Sequence, residues 1–206
     1  MPQSARSAAR QSAYDAIVIG GSSGSIEALM ALLSALPARL GAAVLVVLHL
    51  PSGRRSLLAD IFKDRCALRV CEAQDKDIIQ PGAVYFAPPD YHLLVERGPR
   101  VALSVDPPLH FSRPSIDVLF ESAADQYGAG LIGVLLSGAN DDGVQGLAAI
   151  CSGGGLAVVQ DPASAAMPVM PAAALDRVPV RHVLDPQGIA KLLARLAAHP
   201  RDNPRT

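Results

Sequence analysis

The stretch Gly20-Gly21-Ser22-Ser23-Gly24-Ser25 lies between an apolar run, residues 16–19, and a segment with helical periodicity. The apolar residues of that segment, spaced at i, i+3, i+4 and i+7, are Ile26, Leu29, Met30 and Leu33. This spacing places them on one face of a helix. Glycine adopts backbone conformations that are strained for other residues. The stretch therefore predicts a tight strand-to-helix turn with Ser22 at its apex. The spacing Gly20-x-Ser22-x-Gly24 is that of a nucleophile elbow, which exposes a hydroxyl at a strand end.

The same turn could instead hold a phosphate group. The dinucleotide pattern G-x-G-x-x-G fails at Ser22 and Ser25, and no lysine follows as a P-loop would require. A nucleotide-binding domain is therefore the less favoured interpretation of this turn.

Strands and helices alternate along most of the chain. Predicted strands cover residues 15–20, 42–50, 68–72, 130–136, 156–160 and 180–184. Predicted helices cover residues 24–36, 56–64, 115–127, 144–151 and 170–176, and a last one begins near 189. In the middle, residues 83–87, 92–96 and 101–105 are short apolar runs between proline and glycine turns, which predict antiparallel hairpins. We therefore expect an α/β fold: a doubly wound, mostly parallel sheet in a Rossmann-like three-layer arrangement, with an antiparallel hairpin insertion.

Composition limits the classes of partner. The 206 residues carry a net charge of −1 with no basic block, so nucleic acid is not an expected partner. The longest apolar run, residues 42–50, is too short to cross a bilayer, so we expect no membrane insertion. Residues 1–13 lack the apolar segment of a signal peptide, and the three cysteines form no C-x-x-C pair. A cytoplasmic location is expected. The five histidines show no metal-binding spacing, so no metal site is expected.

Three predicted strand ends carry side chains that could cooperate in hydrolysis: Ser22, His49 and Asp142. A serine hydroxyl needs a base to become a nucleophile, a neutral imidazole can supply it, and a carboxylate can orient that imidazole. Because parallel strands end at one edge of a sheet, the three residues could converge. Each also has a structural interpretation: Ser22 as a helix cap, His49 as a buried hydrogen-bonded ring, and Asp141 or Asp142 as caps of the next helix.

Five blocks of sequence, taken in order, resemble the catalytic domain of the CheB-type protein-glutamate methylesterases of bacterial chemotaxis. They are Ile19-Gly20-Gly21-Ser22-Ser23-Gly24-Ser25, His49-Leu50-Pro51, Tyr85-Phe86-Ala87-Pro88-Pro89-Asp90-x-His92, Arg113-Pro114-Ser115-Ile116-Asp117-Val118-Leu119-Phe120 and Ser137-Gly138-Ala139-Asn140-Asp141-Asp142-Gly143. The resemblance implies that Ser22 is the nucleophile, His49 the base and Asp142 the triad acid. It gives Asp141 no triad role.

The resemblance also implies an oxyanion hole formed by Ser23 and by the backbone N–H of Ala139. Ser23 stands where the family usually has threonine and keeps a hydroxyl, and Ala139 stands where the family usually has methionine. Ser25 replaces a family glycine and would restrict the turn only if its φ were positive. In the fourth block, Ser115 and Asp117 suit the capping of a helix start. Arg113 is a less favoured candidate for contact with an acidic receptor surface.

By resemblance, residues 14–198 form the catalytic domain, and residues 1–13 and 199–206 are expected to be mobile tails. The implied activity is demethylation of glutamate γ-methyl esters on chemoreceptor-like proteins, with deamidation of receptor glutamine as a second activity. No cofactor is implied, and no covalently attached receiver domain is expected in this sequence. A catalytically silent receptor-binding module is the alternative from another functional class.

Overall fold

The computed structural model describes residues 14–49, 53 and 56–198. The predicted tails, 1–13 and 199–206, and the Leu50-Pro51 pair lie outside these residues. The strands are β1 (Ala16–Gly21), β2 (Ala43–Leu48), β3 (Arg69–Glu72), β4 (Ala83–Phe86), β5 (His92–Glu96), β6 (Arg100–Ser104), β7 (Leu131–Leu135), β8 (Leu156–Gln160) and β9 (His182–Leu184). The α-helices are α1 (Ser25–Ser34), α2 (Leu58–Lys63), α3 (Ile116–Tyr127), α4 (Val144–Ser152), α5 (Val169–Arg177) and α6 (Pro186–Ala198).

Seven strands form one parallel sheet in the order β3-β4-β2-β1-β7-β8-β9. Strands β2, β3 and β4 lie on one side of β1, and β7, β8 and β9 lie on its other side. The point at which the strand order reverses, between β1 and β7, is where open α/β sheets bind ligands. The predicted α/β fold with a doubly wound sheet is confirmed.

The antiparallel insertion is smaller than the sequence suggested. β5 and β6 pair antiparallel, as predicted, and they form a two-stranded sheet separate from the main one. The prediction that residues 83–87 also belong to an antiparallel hairpin is wrong, because β4 pairs parallel with both β2 and β3. All four residues of β4 are buried, which is the pattern of a strand covered on both faces of a parallel sheet.

Helices cover both faces of the seven-stranded sheet. On one face, α1, α2 and α6 bury apolar side chains against the sheet. On the other face, α3, α4, α5 and the β5–β6 hairpin form a second core. α3 and α4 lie very close because Gly146 leaves room: a Cβ there would lie 2.4 Å from the Cβ of Phe120. None of the helices in the described part of the chain is both long and apolar enough to cross a membrane.

Candidate active site

Ser22 lies directly after β1, at the point where the strand order reverses. Its backbone N–H donates to the carbonyl of Ser137, after β7, at 2.9 Å. Its own carbonyl accepts the hydroxyl of Ser25 at 2.6 Å. The backbone of Ser22 is therefore fixed from two sides, while its half-buried side chain faces the end of the sheet.

The sharp turn after Ser22 depends on glycine. Gly24, the residue before α1, has φ of 76°, the left-handed region that glycine adopts without strain. Ser25 is the first residue of α1, and the positive φ falls on Gly24, so Ser25 does not restrict the turn. The α1 N-cap position is Gly24 and has no side-chain cap bond, so Ser22 does not cap the helix. Its hydroxyl instead lies near the positive end of the helix dipole.

His49 follows β2, next to Ser22 in the sheet. Its backbone N–H donates to the carbonyl of Gly21 at 3.1 Å. Its Nε2 lies 2.7 Å from Oδ2 of Asp142, and its side chain is 11% exposed. Because an ionised carboxylate can only accept hydrogen bonds, Nε2 is the protonated nitrogen of a neutral His49 ring. Nδ1 is then the nitrogen free to act as a base.

Asp142 is completely buried and binds the N-terminus of α3. Its Oδ2 accepts from the backbone N–H of Ile116 at 2.8 Å, in addition to the bond from His49. Its Oδ1 accepts from the hydroxyl of Ser115 at 2.8 Å and from the backbone N–H of Asp117 at 3.0 Å. Burial raises the pKa of this carboxyl, but the bonds from His49 and from the α3 backbone outweigh burial and hold it below its usual value. Asp142 is therefore a firmly held anion.

Two further side chains fix the start of α3: His92, which was assigned no role from the sequence, and Asp117, which was expected only to suit the capping of the helix start. The buried His92 accepts the backbone N–H of Ser115 on Nδ1 at 3.1 Å, and its Nε2 lies 3.2 Å from the carbonyl oxygen of Pro107. Asp117 accepts the backbone N–H of Gly146 at 2.7 Å, which ties α3 to α4. The expected side-chain capping of α3 is not made, since Ser115 donates to Asp142 instead. The sequence indicated the start of this helix by its proline and serine, but it did not indicate which acid would bind there.

Asp117 is a second buried acid beside Asp142. Its Oδ2 is buried with no hydrogen-bond partner among the described residues, and lies 3.4 Å from Nε2 of His110. Burial raises the pKa of Asp117 to about 6, the Gly146 N–H opposes that rise, and the nearby charge of Asp142 adds to it. The pKa of Asp117 is therefore raised and the pKa of Asp142 is lowered, although the two carboxyl groups belong to the same cluster.

Asp141, next in the chain to Asp142, lies outside this buried cluster. It is half-exposed and accepts from the Arg177 guanidinium at 2.9 Å. That bond lowers the pKa of the Asp141 carboxyl. The Arg113 guanidinium donates to the carbonyls of Val105 and Asp106 at 2.7 and 3.0 Å, and its contact with an acidic receptor surface stays a prediction.

A cavity of about 430 Å³ opens at the C-terminal ends of β1 and β2. It is lined by Ser22, Ser23, Gly24, Ile26, Glu27, Leu48, His49 and Ala166. Ser22 and His49 therefore face one space, although their side chains make no direct hydrogen bond in the described part of the chain. Asp142 lies behind His49 and does not line the cavity.

The two predicted oxyanion donors differ in position. Ser23 is exposed and lines the cavity, whereas Ala139, also exposed, is not among its lining residues. The backbone N–H groups of Ser23 and Ala139 donate to no group among the described residues.

His110, Asp117 and Asp142 approach one another closely enough to suggest a cation site, with one possible ligand atom of each lying within 4.8 Å of the others. Asp142, however, already accepts four hydrogen bonds, which fills the lone pairs of its two oxygens. A cation would have to displace one of those donors. The geometry therefore favours a hydrogen-bonded carboxylate over a metal ligand.

The comparisons with known proteins point to one family. The sequence model of the CheB methylesterase family matches residues 17–193. A protein of Leptospira interrogans, named as a protein-glutamate methylesterase/protein-glutamine glutaminase, is 45% identical over 183 residues, covering 89% of this chain and 95% of that protein. A protein of the same type from Koribacter versatilis is 35% identical, and the match covers 90% of this chain but 52% of that protein.

A solved structure with the same fold belongs to the same family. The crystal structure of the Thermotoga maritima CheB methylesterase catalytic domain superposes with a TM-score of 0.85 at 30% sequence identity. The match covers 89% of this chain and 98% of that one. The similarity therefore extends over nearly the whole described chain.

Proposed function

This chain belongs to the CheB methylesterase family, and we propose that it hydrolyses glutamate γ-methyl esters on chemoreceptor-like proteins with Ser22, His49 and Asp142 as its catalytic triad. Family membership places it among the protein-glutamate methylesterases/protein-glutamine glutaminases. The proposal extends this to a substrate, to residues and to a mechanism. It also takes residues 14–198 as the catalytic domain and the cytoplasm as its location, where the free thiols of Cys66, Cys71 and Cys151 would stay reduced.

The observation that supports the triad most strongly is the 2.7 Å contact between His49 and Asp142, with His49 sharing a cavity with Ser22. Asp142 fixes the tautomer, so that Nδ1 of His49 is the base. A rotation of the Ser22 hydroxyl toward Nδ1 would complete the relay, and such bonds are often formed only when substrate is bound. The buried negative charge of Asp142 then stabilises the imidazolium that forms.

The reaction follows from this arrangement. Nδ1 of His49 removes the proton from Ser22 Oγ, which bonds to the ester carbonyl carbon. The resulting oxyanion is stabilised by Ser23 and by the Ala139 N–H, and the N-terminus of α1 adds a favourable field. His49 returns the proton to the departing methoxide, and methanol leaves. Water, activated by His49, then releases the glutamate carboxylate and restores Ser22. A glutamine side chain would follow the same steps with ammonia as the leaving group.

Methanol release tests this proposal. The substrate is a chemoreceptor cytoplasmic fragment whose glutamates carry tritiated methyl esters, and volatile radioactivity is measured with the wild-type chain and with Ser22→Ala. We expect release by the wild type and none above background by the variant, with equal circular dichroism spectra. Equal release by both would refute the triad. A wild-type chain that binds the fragment without releasing methanol would instead support a silent receptor-binding module.

A further inference from the structure

Residues 109–112 form a strained turn close to the proposed active site. The backbone N–H of Leu109 donates to the carbonyl of Ser112 at 3.1 Å, and the N–H of Ser112 donates back at 2.7 Å. The two central residues, His110 and Phe111, have φ of 48° and 60°. Two-residue turns with positive φ normally use Asn-Gly, Asp-Gly or Gly-Gly, because larger side chains are strained there. Strain of this kind persists only where surrounding contacts impose it, and it concentrates at functional sites.

Two acidic side chains lie close to the turn, and an arginine bonds to the residues that precede it. Nε2 of His110 lies 3.4 Å from the buried Oδ2 of Asp117, and its Nδ1 lies 3.5 Å from Asp141. The Arg113 guanidinium fixes the preceding residues by bonding to the carbonyls of Val105 and Asp106. A ring nitrogen of His110 also lies within 4.8 Å of a carboxylate oxygen of Asp142. The turn is therefore anchored beside the acid of the proposed triad.

The anchored turn exposes an aromatic side chain. Phe111 is fully exposed, whereas the other three phenylalanines of the chain, Phe62, Phe86 and Phe120, are at most 1% exposed. Two neighbours in the same segment, Val105 and Leu109, are 67% and 47% exposed. Packing among the described residues gives no reason to place a phenylalanine in water on a strained turn. Aromatic residues are enriched at protein interfaces, where they bury a large area at little entropic cost.

We propose that Phe111 is a specificity-determining residue that packs against the protein surface around the glutamyl ester when that ester enters the cavity. This inference rests on the proposed function, because only a macromolecular substrate would be large enough to extend from the cavity beyond His49 to the turn, which is anchored beside the buried Asp142. The ester side chain is short, so the segment bearing it must approach the rim closely. Phe111 then adds affinity for an apolar face of that segment, whereas a free amino-acid ester is too small to reach it.

The test compares two substrates in one methanol-release assay. One is the tritiated chemoreceptor fragment, and the other is glutamate γ-methyl ester capped as an N-acetyl α-amide. For Phe111→Gly we expect the ratio of kcat/KM for the fragment to kcat/KM for the capped ester to fall about tenfold, the loss typical of one interface anchor. Glycine accepts a φ of 60° without strain, so the variant should melt at or above the wild-type temperature. Phe111→Tyr should keep the wild-type ratio.

Ile78→Ala is the matched control, because Ile78 is 55% exposed but precedes β4, at the opposite end of the sheet from the cavity. It should keep the wild-type ratio. A Phe111→Gly variant with an unchanged ratio would overturn the inference, and so would equal losses on both substrates, which would indicate an effect through the site itself. A wild-type chain inactive on both substrates would overturn the proposed function, and this inference with it.

Discussion

Asp142→Asn perturbs the proposed triad most selectively, because it replaces one carboxylate oxygen by an amino group at nearly constant size. The wild-type carboxylate accepts two hydrogen bonds at each oxygen. An asparagine retains one acceptor oxygen, so its amino group must face a backbone N–H of α3 in either orientation. At the Oδ2 position it opposes the N–H of Ile116 and Nε2 of His49, and at the Oδ1 position it opposes the N–H of Asp117.

The expected losses follow from these contacts. A buried N–H left without an acceptor costs about 1–3 kcal/mol of unfolding free energy. The lost bond between His49 and a charged acceptor is worth a further ~1.5–3 kcal/mol to the imidazolium, or about 10–10² in rate. If the amino group faces His49, the ring must carry its proton on Nδ1 and loses its basic nitrogen. A tautomer error of that kind costs up to ~10⁴ in kcat. We therefore expect kcat to fall by about 10–10⁴, with the larger losses if the amino group faces His49.

Single-turnover methanol release and urea unfolding measure the two effects separately. The matched control is Asp141→Asn, the same chemical change one residue earlier at a half-exposed side chain bonded to Arg177. Exposed ion pairs contribute about 0–1 kcal/mol, so this variant should unfold near the wild-type midpoint and keep kcat near the wild-type value. A nearly wild-type kcat for Asp142→Asn, or a larger loss for Asp141→Asn, would refute the assignment of the acid.

Three further variants probe the surroundings. Ser115→Ala removes the hydroxyl bond to Asp142 while the Asp117 N–H still binds the same oxygen, so urea unfolding should show a loss of about 1–3 kcal/mol and kcat a smaller loss than in Asp142→Asn. Asp117 has a pKa raised to about 6, so the folded wild type binds a proton that the unfolded chain has lost, and stability should fall as pH rises from about 4 to 6. Asp117→Asn should remove that fall, which is at most about 3 kcal/mol. Urea unfolding measured across this pH range tests the prediction, and an identical dependence of stability on pH in both proteins would contradict it. Ser23→Ala keeps its backbone N–H, so its kcat in the methanol-release assay should fall by no more than ~10²–10³, and a loss as complete as that of Ser22→Ala would contradict a supporting role.

Much of the fold could be predicted because its signals are local. The glycines around Ser22 and the helical spacing after them identified the turn, and the alternation of apolar runs identified the sheet. β4 was misassigned because a four-residue apolar run between turns has no periodicity to distinguish a hairpin from a buried parallel strand. β3 directly precedes β4 in the chain and β2 lies earlier, but the parallel pairing of both strands with β4 is visible only in the fold.

The hydrogen bonds that hold the site residues in position were harder to predict, because they join segments that are distant in the sequence. Asp142 binds donors 25 to 27 residues earlier in the chain, at the start of α3. The sequence marked this helix start by Pro114 and Ser115 but gave no indication of which acid it would bind. The turn with His110 and Phe111 was missed because it contains no glycine or asparagine, the residues by which such turns are usually identified.

Covalent labelling by a fluorophosphonate probe tests the central claim most directly, because three serines lie within four residues of one another at 22, 23 and 25. The labelled chain is digested, and the modified residue is located by mass spectrometry. We predict one adduct on Ser22, no labelling of Ser22→Ala, slower labelling of Asp142→Asn, and retained labelling of Ser22 in Ser23→Ala. An adduct on Ser23 or Ser25, or methanol release without any label on Ser22, would contradict the account.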